Sequence, residues 1–323
     1  MSDKFDKAMT SGGLLLNTLI LLGNMDWLGL SMKATKLVDV ACLYRNCSKL
    51  SKPFFRLHHH ISFFYHQRYI WYGRWKRQLG QYDTIILFDV FEDVDIIKYI
   101  RDKYPHIRLI VYYYNTIYNE KMIRNIKKIN GVEIWSFDKK DCIKYQLRYN
   151  PQFYFHQLNF PDIKLKNISY TSDVFFVGKD KGRLLNLMEI DKNLQQTGIQ
   201  TKFIVVRDRK QAYTESQRKY MGKHISYAEC IEYVKNTNCI LDMVQSGQKG
   251  MTLRIMEAMF FNKKLISNND DIMQMDFYDP SNIYIIGKDH RSMSDFILEN
   301  KSHWPVTFVH EYSFETWLAN FQN

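Results

Sequence analysis

Residues 248–269 read QKGMTLRIMEAMFFNKKLISNN, in which a glycine turn leads into an apolar helix and then into a strand. The run CILDMV at residues 239–244 comes just before this stretch and predicts a buried strand. A strand, a glycine turn, a helix and a second strand form the order of a βαβ unit, which belongs to a parallel sheet. This stretch therefore predicts an α/β fold.

The same alternation of strands and helices extends over most of the 323 residues. Strands are predicted from apolar runs at 14–23, 82–90, 107–115, 132–138, 173–178, 201–206, 239–244 and 263–268. After the first of these strands, residues 33–43 are predicted to form a helix. Strands joined by helices in this way predict doubly wound α/β domains.

The alternation lapses over residues 151–170, which contain two of the six prolines and show no clear periodicity. A chain of this length exceeds one ordinary core, so we predict an N-terminal domain over 1–157 and a second domain over 170–305. Residues 306–323 are predicted to contain a short amphipathic helix.

Composition and charge limit the classes of protein that fit. Hydrophobic residues make up 46% of the chain, and the formal net charge of +11 favours an acidic partner such as nucleic acid, an anionic membrane or a phosphorylated small molecule. The five scattered cysteines indicate neither a disulfide framework nor a metal cage, and the run at 14–23 is too short to span a bilayer. We therefore predict a cytoplasmic protein without a metal site.

The turn KDKGR joins the predicted strand at 173–178 to a helix and contains a cluster of cations. Gly178 would let a phosphate approach the backbone, and Lys179, Lys181 and Arg183 would neutralise it near the helix N-terminus. A solvated basic turn explains the same residues equally well. The spacing matches neither the P-loop nor the dinucleotide G-x-G-x-x-G pattern.

A second glycine turn lies between the strand at 239–244 and the helix that carries Glu257. Gly247 and Gly250 lie in this turn, and Thr252 is placed to cap the helix or to bind a phosphate oxygen. A carboxylate near the first turns of such a helix can accept hydrogen bonds from two ribose hydroxyls, which predicts a nucleotide-binding role for Glu257. Alternatively, Glu257 is a surface acid that complements the helix dipole.

Three stretches together resemble one family: VEIWSFDKKDCIKYQLRYNPQFYF at 132–155, FVGKDKGR at 176–183, and the turn, helix and strand from SGQKG to KKLISNN. Their order and separation are similar to those of GT-B glycosyltransferases, especially bacterial enzymes that build lipopolysaccharide, capsule or other surface glycans. The resemblance implies two Rossmann-like, doubly wound domains that face each other across a cleft, with a helix within 306–323 crossing back to the first domain. It also implies no cofactor, with a nucleotide diphosphate sugar, in the first place a UDP-sugar, as co-substrate.

The resemblance implies roles for individual residues as well. Lys179 and Arg183 fall where basic groups stabilise the leaving diphosphate, so they are the predicted catalytic cations. The donor nucleotide is predicted to contact Gly178, Lys181, Tyr227, Ser246, Gly247, Gly250, Met251, Thr252, Arg254 and Glu257. Retaining families often have a second glutamate eight residues before Glu257, where this chain has Lys249, so the stereochemical outcome stays open.

An inverting enzyme needs a base beside the acceptor hydroxyl. Asp26, in the GNMDW turn after the first strand, is the predicted base, and a helix-capping acid is the alternative. The acidic pair in DVD at 93–95 lies in a predicted solvated helix and is not placed for a metal ion. The predicted enzyme is therefore metal-independent.

Residues 52–78 alternate basic residues with aromatic ones. An interfacial membrane patch fits this composition, with Trp71, Trp75, Phe63 and Phe64 at the headgroup boundary and the cations on anionic lipid. A nucleic-acid surface and a core-packed helix with one charged face are the alternatives. Because no nucleic-acid-binding motif accompanies the segment, we expect peripheral contact with the inner face of the cell membrane and no nucleic-acid partner.

The predicted function is transfer of a sugar from a nucleotide diphosphate sugar to a glycan or lipid-linked acceptor in bacterial cell-surface polysaccharide synthesis. Two rivals stay open. One is a non-catalytic basic protein that binds nucleic acid or anionic membranes, and the other is an epimerase of similar architecture that interconverts UDP-sugars without an acceptor.

Overall fold

A computed structural model of the chain describes residues 17–45, 69–88, 94–160, 171–209, 211–245, 251–299 and 302–322. The chain forms two compact units. The first comprises Met1–Phe153, Gln157–Pro161 and Phe314–Asn323, and the second comprises Tyr154–His156 and Asp162–Ser313. Each unit has its own sheet, and the strand pairs described in both sheets are parallel.

The first unit is built on a six-stranded sheet with the strand order β2-β1-β3-β4-β5-β6. Its strands are β1 Thr18–Leu22, β2 Asp39–Cys42, β3 Thr84–Phe88, β4 Arg108–Tyr113, β5 Val132–Ser136 and β6 Arg148–Tyr149. Every residue of β1 and β3 is buried, as expected for central strands of a parallel sheet. The order reverses between β1 and β3, because β2 lies on one side of β1 and the later strands lie on the other.

Short helices connect these strands. They are α1 Trp27–Ala34, α2 Val94–Lys103, α3 Glu120–Lys127 and α4 Lys139–Tyr145, with 3₁₀ turns at Arg74–Arg77 and Leu79–Gln81. In α2, Ile96, Ile97 and Ile100 are fully buried at helical spacing, and they share one hydrophobic core with Leu87 and Leu109 of the sheet. The apolar face of the helix and the apolar strands therefore stabilise each other.

The helix predicted over residues 33–43 is wrong. The helix begins earlier, at Trp27, because the Asp26 carboxylate accepts a hydrogen bond from the Leu28 N–H at 3.0 Å and caps it. It ends before Lys36, whose backbone lies in the left-handed region with a φ of 59°. The residues that follow form β2, which pairs with β1.

The second unit contains a five-stranded sheet with the order β11-β10-β9-β7-β8. Its strands are β7 Ser172–Lys179, β8 Thr201–Val206, β9 Thr237–Asp242, β10 Lys264–Ser267 and β11 Ile283–Ile285. Its helices are α5 Leu184–Gln196, α6 Glu215–Arg218, α7 Tyr227–Lys235, α8 Leu253–Phe260, α9 Met293–Leu298 and α10 Val306–Glu311, with a 3₁₀ turn at Asp270–Gln274.

The two sheets share one topology. In each sheet the second strand lies on one side of the first strand, and the third strand lies on the other side. This is a doubly wound order, in which ligands bind beyond the carboxyl ends of the strands at the point where the order reverses. The predicted α/β class, with two Rossmann-like doubly wound units, is confirmed.

The run predicted as a buried strand at 14–23 forms β1 in the part that the structure describes. Residues 14–16 lie outside that part, and Thr18–Leu22 pair with β2 on one side and with β3 on the other. Among the described residues, no helix combines the length and the apolar character needed to cross a membrane.

The last described residues of the chain pack within the first unit. They form α11 Phe314–Ala319 and a 3₁₀ turn at Asn320–Gln322. Trp317 of α11 is fully buried, and its ring contacts the rings of Phe88, Tyr112 and Phe153. The core of the first unit thus includes side chains that are distant in sequence from its sheet.

We expect Trp317→Ala to destabilise the chain by about 3–5 kcal/mol, because it leaves a large cavity among buried rings. Urea unfolding followed by circular dichroism measures the change. Ile143→Ala is the control, since Ile143 is 81% exposed, and its loss should change the free energy of unfolding by less than about 0.5 kcal/mol. Equal unfolding midpoints for the two variants would contradict the packing around Trp317.

Candidate functional site

A cavity of about 330 Å³ lies where the strand order of the second unit reverses. It is beyond the carboxyl ends of β7 and β9 and beside the first residues of α8. Four cationic side chains line it, Lys179, Lys181, Arg183 and Arg254, together with the carboxylate of Asp242. The described lining is therefore net positive, and the free N–H groups at the start of α8 add partial positive charge. A cavity of this kind suits an anion.

The basic turn after β7 is held by Asp180, a residue that the sequence prediction missed. Asp180 is fully buried, and its carboxylate accepts hydrogen bonds at 2.9 Å from the first N–H of α5 and from the Tyr213 hydroxyl. Lys181 and Gly182 have positive φ values of 45° and 79°. The Lys181 N–H also donates to Asp208 at 2.8 Å. These contacts fix the backbone from which the lysines of the turn extend.

The guanidinium of Arg183 joins the ends of two strands. Its Nε donates to the carbonyl of Asp180 at 3.1 Å, and its terminal nitrogens donate to the carbonyls of Lys179 and Met243. Lys179 ends β7 and Met243 follows β9, so one side chain fixes these strand ends beside each other. Burial lowers the pKa of Arg183. The nitrogens of Arg183 already bind backbone carbonyls. Its catalytic role stays a prediction.

Asp242 is the last residue of β9 and is only 5% exposed. Its carboxylate accepts a hydrogen bond from the Thr252 hydroxyl at 2.8 Å, and burial raises its pKa. The prediction that the Thr252 side chain caps α8 is wrong, because Thr252 occupies the N-cap position but gives its hydroxyl to Asp242. A contact between Thr252 and a phosphate oxygen stays a prediction.

The helix α8 carries a buried ion pair. Glu257 is fully buried, and its Oε2 contacts the guanidinium of Arg254 without accepting a well-aligned hydrogen bond, so the contact is electrostatic. Arg254 also donates to Cys230 Sγ at 3.2 Å and keeps 18% of its side chain exposed. Arg254 lines the cavity, whereas Glu257 does not. The pair therefore presents a cation to the cavity and keeps its counter-ion inside the protein.

Burial acts on both members of this pair. It raises the pKa of Glu257, although the charge of Arg254 opposes that rise. At Arg254, burial works against the charged form, but Glu257, Cys230 and Tyr227 together outweigh it and raise the pKa of the guanidinium. Arg254 therefore stays positively charged.

Two tyrosine hydroxyls complete the surroundings of Glu257. Tyr227 donates to Glu257 Oε1 at 2.8 Å, and its hydroxyl oxygen lies 2.7 Å from that of Tyr154. Burial raises the pKa of both tyrosines well above the usual value, so both stay protonated at neutral pH. Because Glu257 is contacted from two sides, its ribose contact and the nucleobase contact of Tyr227 stay predictions.

The structure brings five of the predicted site residues to one cavity, Lys179, Lys181, Arg183, Thr252 and Arg254. Gly178 lies within β7 next to Lys179, and Met251 precedes Thr252 in the chain. Tyr227 and Glu257 do not line the cavity. The remaining predicted residues of this site, Ser246, Gly247 and Gly250, lie outside the described residues, as does Lys249.

Asp26, the predicted base, belongs to the first unit. It lies beyond the carboxyl end of β1, at the edge where the order of the first sheet reverses. Its Oδ1 accepts the Leu28 N–H, so helix capping, the alternative role, is observed. The catalytic role of Asp26 stays a prediction.

Two residues of the predicted membrane patch have another role. Trp71 and Trp75 are 7% and 3% exposed, and the Trp75 Nε1–H donates to the carbonyl of Leu43 at 3.0 Å. Both rings are buried in the first unit, so the prediction that they lie in lipid headgroups is wrong. Phe63 and Phe64 lie outside the described residues, and membrane contact through the other side chains of the segment stays a prediction.

Three residues that contact predicted site residues escaped the sequence prediction: Asp180, Asp242 and Tyr154. The two acids had a signal, because each lies at the end of a buried apolar strand, where a parallel sheet collects polar groups. Tyr154 had none, since 73 positions separate it from Tyr227. Within the described ranges, no group of three or more His, Cys, Asp or Glu side chains is placed to hold a metal ion.

Two solved structures are similar to this chain over most of its length. The structure "Spinosyn Rhamnosyltransferase SpnG" has 7% sequence identity and a TM-score of 0.43, with 94% of this chain and 91% of that chain covered. The structure "Crystal Structure Analysis of the Glycotransferase of kitacinnamycin" has 8% identity and a TM-score of 0.40, with 95% and 93% covered. No protein-family model and no curated protein matches the chain. With both TM-scores under 0.5, this likeness carries no argument about function.

We expect Glu257→Ala to destabilise the chain by about 3–5 kcal/mol, because it leaves Arg254 largely buried without its counter-ion. Glu257→Gln keeps the shape and an acceptor for Tyr227, so it should destabilise less. Thermal unfolding compares both variants with Glu189→Ala, a control that removes an exposed acid from α5. If Glu257→Ala unfolds at the same temperature as the control, the buried pair has no structural role.

Proposed function

We propose that this chain is a metal-independent glycosyltransferase that moves a sugar from a nucleotide diphosphate sugar to a glycan or lipid-linked acceptor. The observation that carries the proposal is the cluster of cations around the cavity beyond β7 and β9. A doubly wound sheet binds nucleotides at that place, where its strand order reverses. From the resemblance of the sequence, we further propose a UDP-sugar as the donor and a bacterial cell-surface polysaccharide as the product.

A diphosphate fits the cavity in charge and in size. The volume of about 330 Å³ is at the lower end of the range of roughly 300–1,000 Å³ for small-molecule sites, so it suits the phosphate end of a donor. Lys179, Lys181 and Arg254 bring three positive charges to its wall. The first N–H groups of α8 offer hydrogen bonds to phosphate oxygens.

The proposed reaction places new negative charge at this cavity. Transfer breaks the bond between the anomeric carbon and the leaving phosphate oxygen, and the same carbon forms a bond to the acceptor oxygen. Negative charge grows on the diphosphate as the first bond breaks. Fixed cations stabilise that growing charge more than they stabilise the bound donor, and this difference lowers the barrier. The lysines and Arg254 thus take the part that a divalent ion has in other sites, which is why we propose metal independence.

Arg254 is a lining cation whose side chain the protein holds in place. The ion pair with Glu257 and the contact with Cys230 hold its guanidinium at the cavity wall. A cation that is already oriented loses little free energy to reorganisation when charge develops. We therefore infer that Glu257 is a positioning residue that acts through Arg254, because contact with a ribose would require this buried carboxylate to become exposed.

On the acceptor side, we propose Asp26 as the base of an inverting reaction. Its position beyond the carboxyl end of β1 supports this role. The helix cap engages Oδ1, and Oδ2 accepts no hydrogen bond from a described residue. The proton of the acceptor hydroxyl would move to Oδ2 as that hydroxyl attacks the anomeric carbon.

We propose that the protein acts in the cytoplasm, with residues 52–78 in peripheral contact with the inner face of the cell membrane. Basic side chains near a membrane are attracted to anionic lipid. Because Trp71 and Trp75 are buried, Arg74, Lys76 and Arg77 would provide this contact within the described part of the segment.

Thermal unfolding with UDP, GDP, CDP, ADP and dTDP, and with UMP and GMP as controls, tests the proposal. We expect one diphosphate, at saturating concentration, to raise Tm by roughly 5 °C or more. The shift should disappear in Lys179→Gln/Lys181→Gln, because the cavity loses two charges. It should persist in Lys192→Gln/Lys223→Gln, which removes two exposed lysines that do not line the cavity. No shift with any diphosphate would refute the proposed donor site.

The two rival functions give different results with the same protein. An epimerase converts a UDP-sugar to its epimer without an acceptor, which NMR detects. A non-catalytic binding protein does not bind nucleotide sugars, and it binds vesicles or nucleic acid with an affinity that falls as salt is added. Release of UDP that requires an acceptor supports glycosyl transfer.

A further inference from the structure

The basic charge of this chain is concentrated in one stretch. Residues 40–82 contain eight lysines and arginines and no aspartate or glutamate, so they supply eight of the eleven net positive charges. Residues 46–68 lie outside the described part, and their sequence contributes cations and histidines but no acid. The stretch therefore contains no carboxylate that could neutralise its own cations.

The described part of this stretch lines a cavity of about 1030 Å³ in the first unit. Five cationic side chains line the cavity: Lys33, Arg45, Arg74, Lys76 and Arg77. Asp39 is the acid among the described lining residues, and its carboxylate accepts the Tyr82 hydroxyl at 2.8 Å. The described wall thus has an excess of four positive charges, five cations against one acid.

Three of these cations lie on one 3₁₀ turn, Arg74–Arg77, that is fixed to the sheet. Trp75 of this turn is buried, and its Nε1–H donates to the carbonyl of Leu43, directly after β2, at 3.0 Å. The Gly73 N–H donates to the same carbonyl at 2.8 Å. A Cβ at Gly73 would lie 2.5 Å from the Cys42 carbonyl oxygen, so the close approach requires glycine. The backbone that carries the cations is therefore held in place before any ligand binds.

The cations around the cavity repel one another. Burial lowers the pKa of Lys76, and the charges of Arg45, Arg77 and Lys103 lower it further. Within the described ranges, no carboxylate forms an ion pair with Arg74, Lys76 or Arg77. An anion in the cavity would relieve this repulsion, because unlike charges a few ångströms apart attract strongly where water is partly excluded.

We propose that this cavity is a second anion site, which binds a phosphate-bearing ligand. An arginine fork binds two phosphate oxygens at once, and three cations on one turn match a group with two or more negative charges. The buried, stacked rings of Tyr72 and Trp75 support the wall from inside the protein, and the volume accommodates more of a ligand than its phosphate. In a glycosyltransferase this ligand is the acceptor; that identification rests on the proposed function, whereas the anion site does not.

Calorimetric titration of the full chain with inorganic pyrophosphate tests the site. The background variant is Lys179→Gln/Lys181→Gln, in which anion binding at the cavity of the second unit is weakened. In this background, addition of Arg74→Gln and Arg77→Gln should weaken pyrophosphate binding by about tenfold or more, since charge-assisted hydrogen bonds are lost. The matched control adds Lys121→Gln and Lys128→Gln, which removes two exposed lysines of the first unit outside the cavity, and should change affinity by less than about twofold.

Because Arg74 and Arg77 are exposed, their replacement should leave the unfolding temperature unchanged, which checks that the fold is intact. Equal pyrophosphate affinity in the Arg74/Arg77 variant and in the control would overturn the site. Single-stranded RNA that binds through the same arginines and displaces pyrophosphate would also overturn it in favour of a nucleic-acid surface. The nucleotide screen on the second unit is independent, so either proposal can fail while the other stands.

Vesicles distinguish the source of the phosphate. If the ligand is a lipid headgroup, the protein should sediment with phosphatidylcholine vesicles that contain phosphatidic acid. Less of the Arg74/Arg77 variant should then sediment with the same vesicles. Pyrophosphate binding without sedimentation indicates a soluble phosphorylated compound. Both results support a phosphate site in the first unit, and they assign it to different ligands.

Discussion

One guanidinium joins the two strand ends on which the candidate site depends. Arg183 donates to backbone carbonyls at the ends of β7 and β9, the two strands between which the second sheet reverses its order. Met243 is buried, and a buried polar group without a partner costs about 1–3 kcal/mol, so the carbonyl that follows β9 needs such a donor. The basic turn, the cavity and the start of α8 are arranged around the two ends that Arg183 joins.

Acids behind the cations determine how this cavity is charged. Asp180 fixes the basic turn, and Glu257 fixes Arg254, yet neither carboxylate is exposed. The acids therefore orient the turn and the guanidinium from the protein side, and the cavity wall keeps its positive charge. This arrangement costs stability, because burial disfavours the charged form of Glu257.

Eight of the eleven described strands and the fold class could be predicted, because a buried parallel strand is a continuous apolar run that can be recognised without its neighbours. The strands β2, β6 and β11, which span four residues or fewer, were not predicted. The cavity could be predicted in part, since glycine turns after such strands mark the carboxyl edge of the sheet. The hydrogen-bond partners of the site residues could not be predicted from the sequence. Thr252 gives its hydroxyl to Asp242, and Tyr154 meets Tyr227 across 73 positions. The error at residues 33–43 has a local cause, because the left-handed backbone at Lys36 leaves little trace in the sequence.

The division of the chain between its two units has a consequence for biosynthesis. Trp317 fills the core of the first unit, yet the whole second unit precedes it in the sequence. While the ribosome synthesises the second unit, the first unit therefore still lacks the Trp317 side chain in its core. During that interval Phe88, Tyr112 and Phe153 lack the indole ring that covers them in the finished protein. Transiently exposed aromatic surface of this kind is prone to aggregation until the last helix packs over it.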